Sequence, residues 1–321
     1  MTASDRCDAG GVVVTGANGL VGSAVVARLR HESMPVVGVI RNAAAAAGCV
    51  VGPPLEAGGD WSPVLAGCRA VIHTAARVHV MRESATDSIG AFRAVNVEGT
   101  LNLARQAAAQ GVRRFIFISS IKVNGEESSP GQRFRASDRR APQDAYAISK
   151  AEAEAGLEAL AAESGMEVVV IRPPLVYGPG VKANFLTMMQ WLKRGIPLPF
   201  GAVEQNRRSM VGLDNLVDLI VTCLNHPGAA NQVFLAGDGE DLSTADLLRR
   251  LAAAMGVSAR LLPVPVWALR AGAKLTGREA LLRRLCGNLE VDISKACVLL
   301  GWSPSISVDE GLRRAAEGVL E

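Results

Sequence analysis

The sequence is poor in aromatic residues and has no dense cluster of basic ones. Aromatic residues make up 4% of the 321 residues, only two are tyrosines, and the formal net charge is +3. Surfaces that bind single-stranded nucleic acid combine stacked aromatic rings with a strongly basic groove. We therefore expect no nucleic acid among the partners of this chain.

Cysteine pairs and long apolar runs are also missing. The six cysteines form no CxxC pair and are not spaced with the four histidines as metal ligands are. No apolar run approaches the ~20 residues that a membrane-spanning helix needs. The first residues, MTASDRCDAGG, lack the apolar core of a signal peptide. These patterns predict no metal site, no membrane span and a reducing, cytoplasmic location.

Short β-branched segments alternate with longer alanine-rich segments through the first two thirds of the chain. The segments predicted to be strands are 11–15, 35–40, 69–75, 115–119 and 167–172. Long helices are predicted at 92–110 and 142–165, and a loop at 48–59. The strands are apolar throughout, as parallel strands covered on both faces are. This indicates an α/β fold with a Rossmann-like, doubly wound parallel sheet.

The alternation stops after residue 172, where loop-forming Pro and Gly become frequent. A helix at 214–225 and a strand at 233–237 indicate a return to the sheet, and the remaining chain is mostly helical. We expect one domain from 1–172 plus about 211–237, and a smaller helical lobe from about 173–210 and 238–321.

The first predicted strand runs into the sequence TGANGLVG, which opens a helix. Glycines at such a turn let the backbone approach a pyrophosphate, and the N-terminus of the helix favours the negative charge. The spacing differs from GxGxxG, but the position after an N-terminal apolar strand is typical of a dinucleotide site. The turn residues expected at the cofactor are Gly16, Asn18, Gly19, Leu20, Val21 and Gly22.

Arg41 and Asp60 bear on the choice of cofactor. Arg41 follows the second strand, where an acid would bind the ribose hydroxyls of NAD and an arginine can meet the 2′-phosphate of NADP. A surface arginine without cofactor contact is the alternative. Asp60 can accept a hydrogen bond from the adenine amine, or it is an exposed loop residue. We predict NADP(H), with NAD(H) as the alternative.

Tyr146 and Lys150 lie four residues apart on a predicted helix and therefore share one of its faces. A neighbouring ammonium is expected to lower the pKa of the phenol from its ordinary value of about 10, which suits proton transfer. Ser120 ends a central strand at the carboxyl edge of the sheet, where ligands bind in this architecture. Its hydroxyl, beside the phenol, can hold a carbonyl or alcohol oxygen.

Together these motifs resemble the extended short-chain dehydrogenases/reductases that modify nucleotide-linked sugars. The landmarks TGANGLVG, VIHTAA, NVEGT, FISS, YAISK and IRPPLVYGPG occur in family order and span most of the chain. The resemblance implies that Ser120, Tyr146 and Lys150 are catalytic, and that the last two also contact the cofactor. The further cofactor contacts that it implies are Thr74, Ala75, Ala76, Asn96, Ser119 and Pro173. It also implies a homodimer formed through helices beside the central strands.

The same resemblance implies that the second lobe binds a UDP-linked sugar. An arginine there suits a diphosphate because its guanidinium donates bidentate hydrogen bonds. For Lys122 the alternative is a solvated surface lysine, and for the other polar residues it is a structural role. The residues implied at the substrate are Lys122, Asn124, Val176, Asn184, Phe200, Arg208, Arg284 and Asp292.

The residues after Ser120 distinguish the reactions of the resembling enzymes. Hexose 4,6-dehydratases carry Asp-Glu there, and isoleucine at position 121 cannot transfer protons, so dehydration is disfavoured. Arg41 and Asn124 favour a 4-keto-sugar reductase that uses NADPH. We predict reduction of a UDP-4-keto-6-deoxy-N-acetylhexosamine to UDP-N-acetylquinovosamine for surface polysaccharide such as lipopolysaccharide. The alternatives are a UDP-glucose or UDP-N-acetylglucosamine 4-epimerase with bound NAD, and a non-catalytic dinucleotide sensor.

Overall fold

The computed structural model describes residues 10–42, 48–78 and 88–320, without the side chains at 88, 183, 184, 319 and 320. The strands in these ranges are β1 (Val12–Thr15), β2 (Val36–Ile40), β3 (Cys49–Val51), β4 (Ala70–His73), β5 (Arg114–Ile118), β6 (Glu167–Arg172), β7 (Leu175–Tyr177), β8 (Arg208–Gly212), β9 (Val233–Leu235) and β10 (Asp241–Leu242). The helices are α1 (Leu20–His31), α2 (Ser62–Leu65), α3 (Ser88–Arg93), α4 (Thr100–Ala109), α5 (Ala145–Ser164), α6 (Ala183–Lys193), α7 (Leu213–Asn225), α8 (Thr244–Ala254), α9 (Val266–Leu275), α10 (Glu279–Cys286), α11 (Ser294–Leu300) and α12 (Val308–Leu320). No helix among the described residues is long and apolar enough to cross a membrane.

Seven strands form one parallel sheet in the order β3-β2-β1-β4-β5-β6-β9. The central strands are buried along their whole length, which explains why they are continuously apolar. The strand order reverses between β1 and β4, and ligands bind at the carboxyl ends of the strands at such a point. The sheet confirms the predicted Rossmann-like, doubly wound fold.

Two apolar cores cover the two faces of the sheet. On one face α1 and α7 pack through Val25, Leu29, Leu216 and Ile220. On the other face α4 and α5 contribute Leu103, Ala107, Ala153 and Leu157. Because both faces are covered, only the strand ends remain for a ligand.

Strand β3 corrects the prediction of a loop at 48–59. Residues Cys49–Val51 pair in parallel with β2, with Gly38 opposite Cys49 and Val39 opposite Val50. The segment has three residues, lies at the edge of the sheet and is only partly buried. An edge strand this short has no periodic pattern by which a sequence could reveal it.

Two predicted helices also have different boundaries in the structure. Helix α5 begins at Ala145 rather than Pro142, because the Asp144 carboxylate accepts a hydrogen bond from the Ala147 amide at 2.7 Å and caps the helix. It ends at Gly165 with φ +74, as expected for a glycine C-cap. The helix predicted at 92–110 consists of α3, a π-helical turn at Ala94–Gly99, and α4.

A second sheet, in the order β10-β8-β7, stands beside the first. Helices α6, α8 and α12 pack with it in a separate core that includes Tyr177, Phe185, Leu248 and Leu312. The carboxylate of Asp238 links β7 to α7. It accepts hydrogen bonds from the Tyr177 hydroxyl on β7 at 2.7 Å and from the Asn215 amide on α7 at 2.7 Å. These contacts fix β7 and β8 next to the carboxyl edge of the main sheet.

Candidate active site

The turn between β1 and α1 is packed so tightly that it requires glycine. Gly16 has φ +70, and a Cβ there would lie 2.8 Å from the Ala75 nitrogen. A Cβ at Gly22 would lie 2.2 Å from the Gly16 carbonyl oxygen. Gly19 precedes α1 without a side-chain cap. The amides of the first turn of α1 therefore suit an anion such as the pyrophosphate of a dinucleotide.

The segment after β4 closes the second side of this turn. The Thr74 hydroxyl donates to the Thr15 carbonyl oxygen at 2.6 Å, and the Ala75 amide lies 3.4 Å from the Thr15 hydroxyl oxygen. Thr74, Ala75 and Ala76 are half-buried. The structure thus brings the predicted cofactor residues after β1 and after β4 to one edge of the sheet, and the cradle fits a dinucleotide.

Asn96 lies in the π-helical turn and is buried. Its Nδ2 donates to the Ser149 hydroxyl at 3.0 Å and to the Arg77 carbonyl, and its Oδ1 accepts from the Arg77 amide at 2.8 Å. The Ser149 hydroxyl in turn donates to the Tyr146 carbonyl at 2.7 Å. Asn96 therefore joins the edge of the cofactor site to the helix that carries Tyr146. Such π-turns occur frequently at functional sites.

Arg41 and Asp60 are both exposed. Arg41 follows the end of β2, as expected. Asp60 Oδ1 accepts the Ser62 amide at 3.0 Å in a local turn before α2, which agrees with the exposed loop residue considered as the alternative. Contacts of either side chain with a cofactor remain predictions.

Ser120 stands where β5 ends. Its hydroxyl oxygen accepts the Lys122 amide at 3.3 Å and caps a 3₁₀ turn at Ile121–Val123. The Ile121 amide donates to the carbonyl oxygen of Pro173 at 3.0 Å, which extends the pairing of β5 with the chain after β6. The Ile121 side chain is 4% exposed and packs with Leu235 and Val291. Isoleucine at this position thus fills an apolar core instead of taking part in proton transfer.

The Lys122 side chain forms ion pairs with two carboxylates. Its Nζ contacts Asp144, the residue that caps α5, and lies 3.3 Å from Glu126 Oε1. Its side chain is 25% exposed. The ammonium is therefore not the freely solvated surface group considered as the alternative, and its contact with a substrate remains a prediction.

Asn124 was expected to face the sugar, but its side chain points into the protein. It is 3% exposed, its Oδ1 accepts from Arg172 Nη1 at 2.9 Å, and its Nδ2 donates to the Arg135 carbonyl oxygen at 2.9 Å. This position therefore does not distinguish a reductase from an epimerase. Asn124 instead belongs to a buried polar network.

Ser119, expected at the cofactor, is part of the same network. Its hydroxyl donates to Glu154 Oε1 at 2.5 Å, and Glu154 is also bound by Arg172 and Arg140. The network joins β5, α5 and β6 next to the predicted catalytic residues. The Ser119 side chain is thus directed toward the interior, away from the mouth of the site.

Tyr146 and Lys150 both lie on α5, and their pKa shifts differ from expectation. Burial, together with the charge of Asp144, raises the pKa of Tyr146 to about 12. Burial lowers the pKa of Lys150 to about 7, although Glu154 opposes this shift. Lys150 Nζ donates to the Ile118 carbonyl oxygen at 2.8 Å and lies 4.3 Å from the centre of the Phe117 ring. The expected lowering of the phenol pKa is therefore absent, because desolvation dominates both groups.

Arg208 is the first residue of β8, the middle strand of the second sheet, and pairs there with Leu242 of β10. It donates to the Gly287 carbonyl oxygen at 3.2 Å, and burial lowers its pKa, as does the charge of Arg284. Arg208 and Arg270 both lower the pKa of the Cys286 thiol against the effect of its burial. Arg284 thus lies within electrostatic reach of Arg208, and Arg208 and Arg270 lie within reach of Cys286, while the charge of Glu127 raises the pKa of Arg208. Sequence reasoning missed Arg270, which lies in an apolar helical segment without a motif.

The other predicted substrate residues have varied surroundings. Asp292 Oδ1 accepts the Ser294 amide at 2.9 Å and its Oδ2 lies 3.6 Å from Arg135 Nε, so it has a structural role at the start of α11. Val176 and Phe200 are half-buried and pack against the main core and the core of the second sheet, respectively. Asn184 lies in the first turn of α6, and its side chain is outside the described part of the chain.

Comparisons with known proteins agree with this geometry. The chain is 46% identical to a UDP-glucose 4-epimerase of Vibrio cholerae over 325 residues, which cover 100% of this chain and 99% of the relative. The structure of a UDP-glucose 4-epimerase of Thermotoga maritima with UDP-glucose superposes with a TM-score of 0.76 at 22% identity, covering 97% of this chain and 100% of the other. A UDP-glucuronic acid 4-epimerase of Bacillus cereus in complex with NAD gives 0.75 at 20% identity, covering 96% and 98%.

The solved structures are too distant in sequence to show more than the fold. The family is shown instead by the match of residues 12–237, which cover β1 through β9, to the NAD dependent epimerase/dehydratase family. The glycine cradle, the strand-end serine and the YxxxK helix all fall within this range. The chain belongs to the NAD dependent epimerase/dehydratase family.

Proposed function

We propose that the protein is a 4-epimerase of UDP-glucose, or of UDP-N-acetylglucosamine, that retains its NAD during the reaction. The observation that carries the proposal is the 46% identity to the Vibrio cholerae UDP-glucose 4-epimerase along the full length of this chain. This replaces the 4-keto-sugar reductase that the sequence analysis favoured. One of the two features behind that preference, Asn124, is buried away from the site.

The chain's own residues can perform the proton transfers of epimerisation. A bound nicotinamide supplies the acceptor and donor of hydride at sugar C4. Tyr146 takes the proton of the 4-hydroxyl and later returns it, while the Ser120 hydroxyl donates a hydrogen bond to the same oxygen. Burial and Asp144 both oppose ionisation of Tyr146. Lys150, one helical turn away on the same face, opposes this effect when it is protonated, but its charge does not overcome burial in the protein without substrate.

The cationic group in the second lobe suits the diphosphate of the substrate. We propose that Arg208 and Arg284, joined by Arg270, bind the two phosphates. Burial of Arg208 lowers its pKa and so destabilises its charge, which an anion would restore. The lobe formed by about 173–210 and 238–321 would then carry the UDP-sugar, and 1–172 with about 211–237 the dinucleotide.

Arg41 supports a second candidate, a 4-keto-sugar reductase that uses NADPH. It is exposed after β2, where a guanidinium can meet a 2′-phosphate. An epimerase returns the hydride that it removed and needs no exchange of cofactor, whereas a reductase consumes one NADPH per turnover. The two candidates therefore differ in their net consumption of cofactor.

The test is to identify the dinucleotide that is released when the purified protein is denatured, and then to assay the protein with UDP-sugars. Stoichiometric NAD, and interconversion of UDP-glucose and UDP-galactose without net NADPH consumption, are expected. NADPH consumption that depends on a UDP-4-keto-sugar would instead establish the reductase. Dinucleotide binding without turnover of either substrate would indicate a sensor. The Tyr146→Phe and Ser120→Ala variants should keep the dinucleotide and lose turnover.

We also propose a homodimer formed through α4 and α5. A shallow groove on these helices is lined by Leu101, Arg105, Gly156, Leu160 and Glu163. A Cβ at Gly156 would lie 2.7 Å from Leu101. Apolar and small residues at this surface suit the approach of a second helix pair. Light scattering should give twice the chain mass, and a bulky charged replacement of Leu160 should yield the monomer.

A further inference from the structure

Lys122 contacts both parts of the chain that supply the catalytic residues. Its backbone amide donates to the hydroxyl oxygen of Ser120 at 3.3 Å, on the turn that follows β5. Its ammonium forms an ion pair with Asp144, which precedes α5 in the chain by one residue. Glu126 Oε1, at 3.3 Å, is its other carboxylate partner.

Asp144 determines where α5 begins. Its Oδ1 accepts the Ala147 amide at 2.7 Å, and its carbonyl oxygen accepts the Ile148 amide at 2.9 Å. Tyr146 is the second residue of the helix that this cap opens. A displacement of Asp144 would therefore move Tyr146 with it.

We propose that Lys122 and Asp144 are positioning residues of the active site. Their ion pair holds the Tyr146 end of α5 against the turn that carries Ser120, and Lys122 offsets the negative charge of Asp144 next to the phenol. The inference rests on the proposed function only in assigning proton transfer to Tyr146.

The electrostatics of the site agree with this geometry. Burial, and after it the charge of Asp144, raises the pKa of Tyr146 to about 12. Among the described residues, Lys122 contacts Asp144 and Glu126, and Lys150 lies one helical turn after Tyr146. Farther along α5, Glu152 is paired with Arg93. Lys122 is a cation that contacts Asp144, so its removal would strengthen the effect of Asp144 on the phenol.

Two substitutions are expected to move the ionisation of Tyr146 in opposite directions. Lys122→Met keeps the length of the side chain and leaves the Asp144 charge without Lys122, so the pKa of Tyr146 should rise by about half a pH unit or more. Asp144→Asn keeps a good capping residue and removes the charge, so the pKa should fall by a similar amount. Lys122→Arg should restore the wild-type value.

The pKa of Tyr146 can be measured by NMR because the chain contains few tyrosines. The chain has only Tyr146 and Tyr177, so isotope-labelled tyrosine gives two Cζ signals, which the Tyr146→Phe variant assigns. Their chemical shifts are followed from neutral to alkaline pH without substrate. The pH dependence of kcat for UDP-glucose should shift in the same directions, with little change in KM.

The control is Glu152→Gln, which breaks an ion pair on the same helix away from Asp144. It should leave the Tyr146 titration unchanged. Shifts of equal sign in Lys122→Met and Asp144→Asn, or none in either, would overturn the inference. The titration requires no turnover. It therefore tests the roles of Lys122 and Asp144 even if the UDP-sugar assay contradicts the proposed function.

Discussion

The guanidinium of Arg172 and the carboxylate of Glu154 form two hydrogen bonds in the protein interior. Nε lies 3.0 Å from Oε1, and Nη2 lies 2.6 Å from Oε2. The two side chains are 2% and 0% exposed. The pair joins the end of β6 to the middle of α5, one turn after Lys150. It therefore holds α5, the helix that carries Tyr146 and Lys150, against the sheet.

The Glu154→Gln substitution should strongly destabilise the fold. It keeps the size of the side chain but leaves the buried charge of Arg172 without its counter-ion, which typically costs about 3–5 kcal/mol. The free energy of unfolding in urea, measured with an unchanged denaturant slope, tests this.

Glu152→Gln is the matched control for this measurement. It lies on the same helix, and its partner Arg93 is exposed. Exposed ion pairs contribute little to stability, because solvent screens them. This variant should unfold at the wild-type urea concentration. Equal stability of the two variants would mean that the buried pair does not hold α5.

The Gly22→Ala substitution should impair dinucleotide binding. The added Cβ would lie 2.2 Å from the Gly16 carbonyl oxygen, so the turn that approaches the pyrophosphate must move. The amount of NAD released per chain on denaturation should fall well below that of the wild type. Gly272→Ala is the control, because that glycine is also helical but has open space around it. It should keep its NAD and gain about 0.5–1 kcal/mol of stability from helix propensity.

The parts of the fold that depend on local patterns could be predicted from the sequence. Strand burial, the Gly165 C-cap and the glycine turn each follow from neighbouring residues, and the structure has them where expected. The YxxxK pair also lies on one helix as predicted. Local sequence patterns thus determine the sheet and the placement of Ser120, Tyr146 and Lys150.

Long-range polar contacts could not be predicted. The sequence around Asn124 predicts a turn residue at the mouth of the site. Its hydrogen-bond partner Arg172 is 48 positions away in sequence, so no local pattern indicates the contact. Glu154 reads as one of several helical acids, and only the structure shows that it is fully buried. The pKa of Tyr146 was predicted in the wrong direction, because helical spacing shows a neighbouring cation but not the depth of burial.

The Arg208→Met substitution should weaken substrate binding more than it slows the reaction. If Arg208 binds the diphosphate, loss of charge-assisted hydrogen bonds should raise KM for UDP-glucose by about ten-fold or more, with a smaller change in kcat. Arg207→Met is the control, because Arg207 is exposed and donates to the Glu204 carbonyl oxygen. An equal rise in KM for both variants would indicate a general electrostatic effect and not a diphosphate contact.

His73 should make the fold sensitive to acid. Its imidazole is buried between the hydroxyls of Thr15 and Thr100, at 2.6 and 3.0 Å, and burial with the charge of Lys150 lowers its pKa from 6.5 to about 3. As the pH falls, the unfolded chain binds this proton first, so stability is lost between pH 6.5 and about pH 3.

This proton linkage can be measured with a variant that does not titrate in this range. Between about pH 7 and about pH 4.5, the wild type should lose about 2.5 kcal/mol more unfolding free energy than His73→Gln. The variant will be less stable at neutral pH, because it loses at least one of the two hydroxyl contacts, but the comparison concerns only the pH dependence. Parallel curves for the two proteins would mean that His73 titrates normally in the fold.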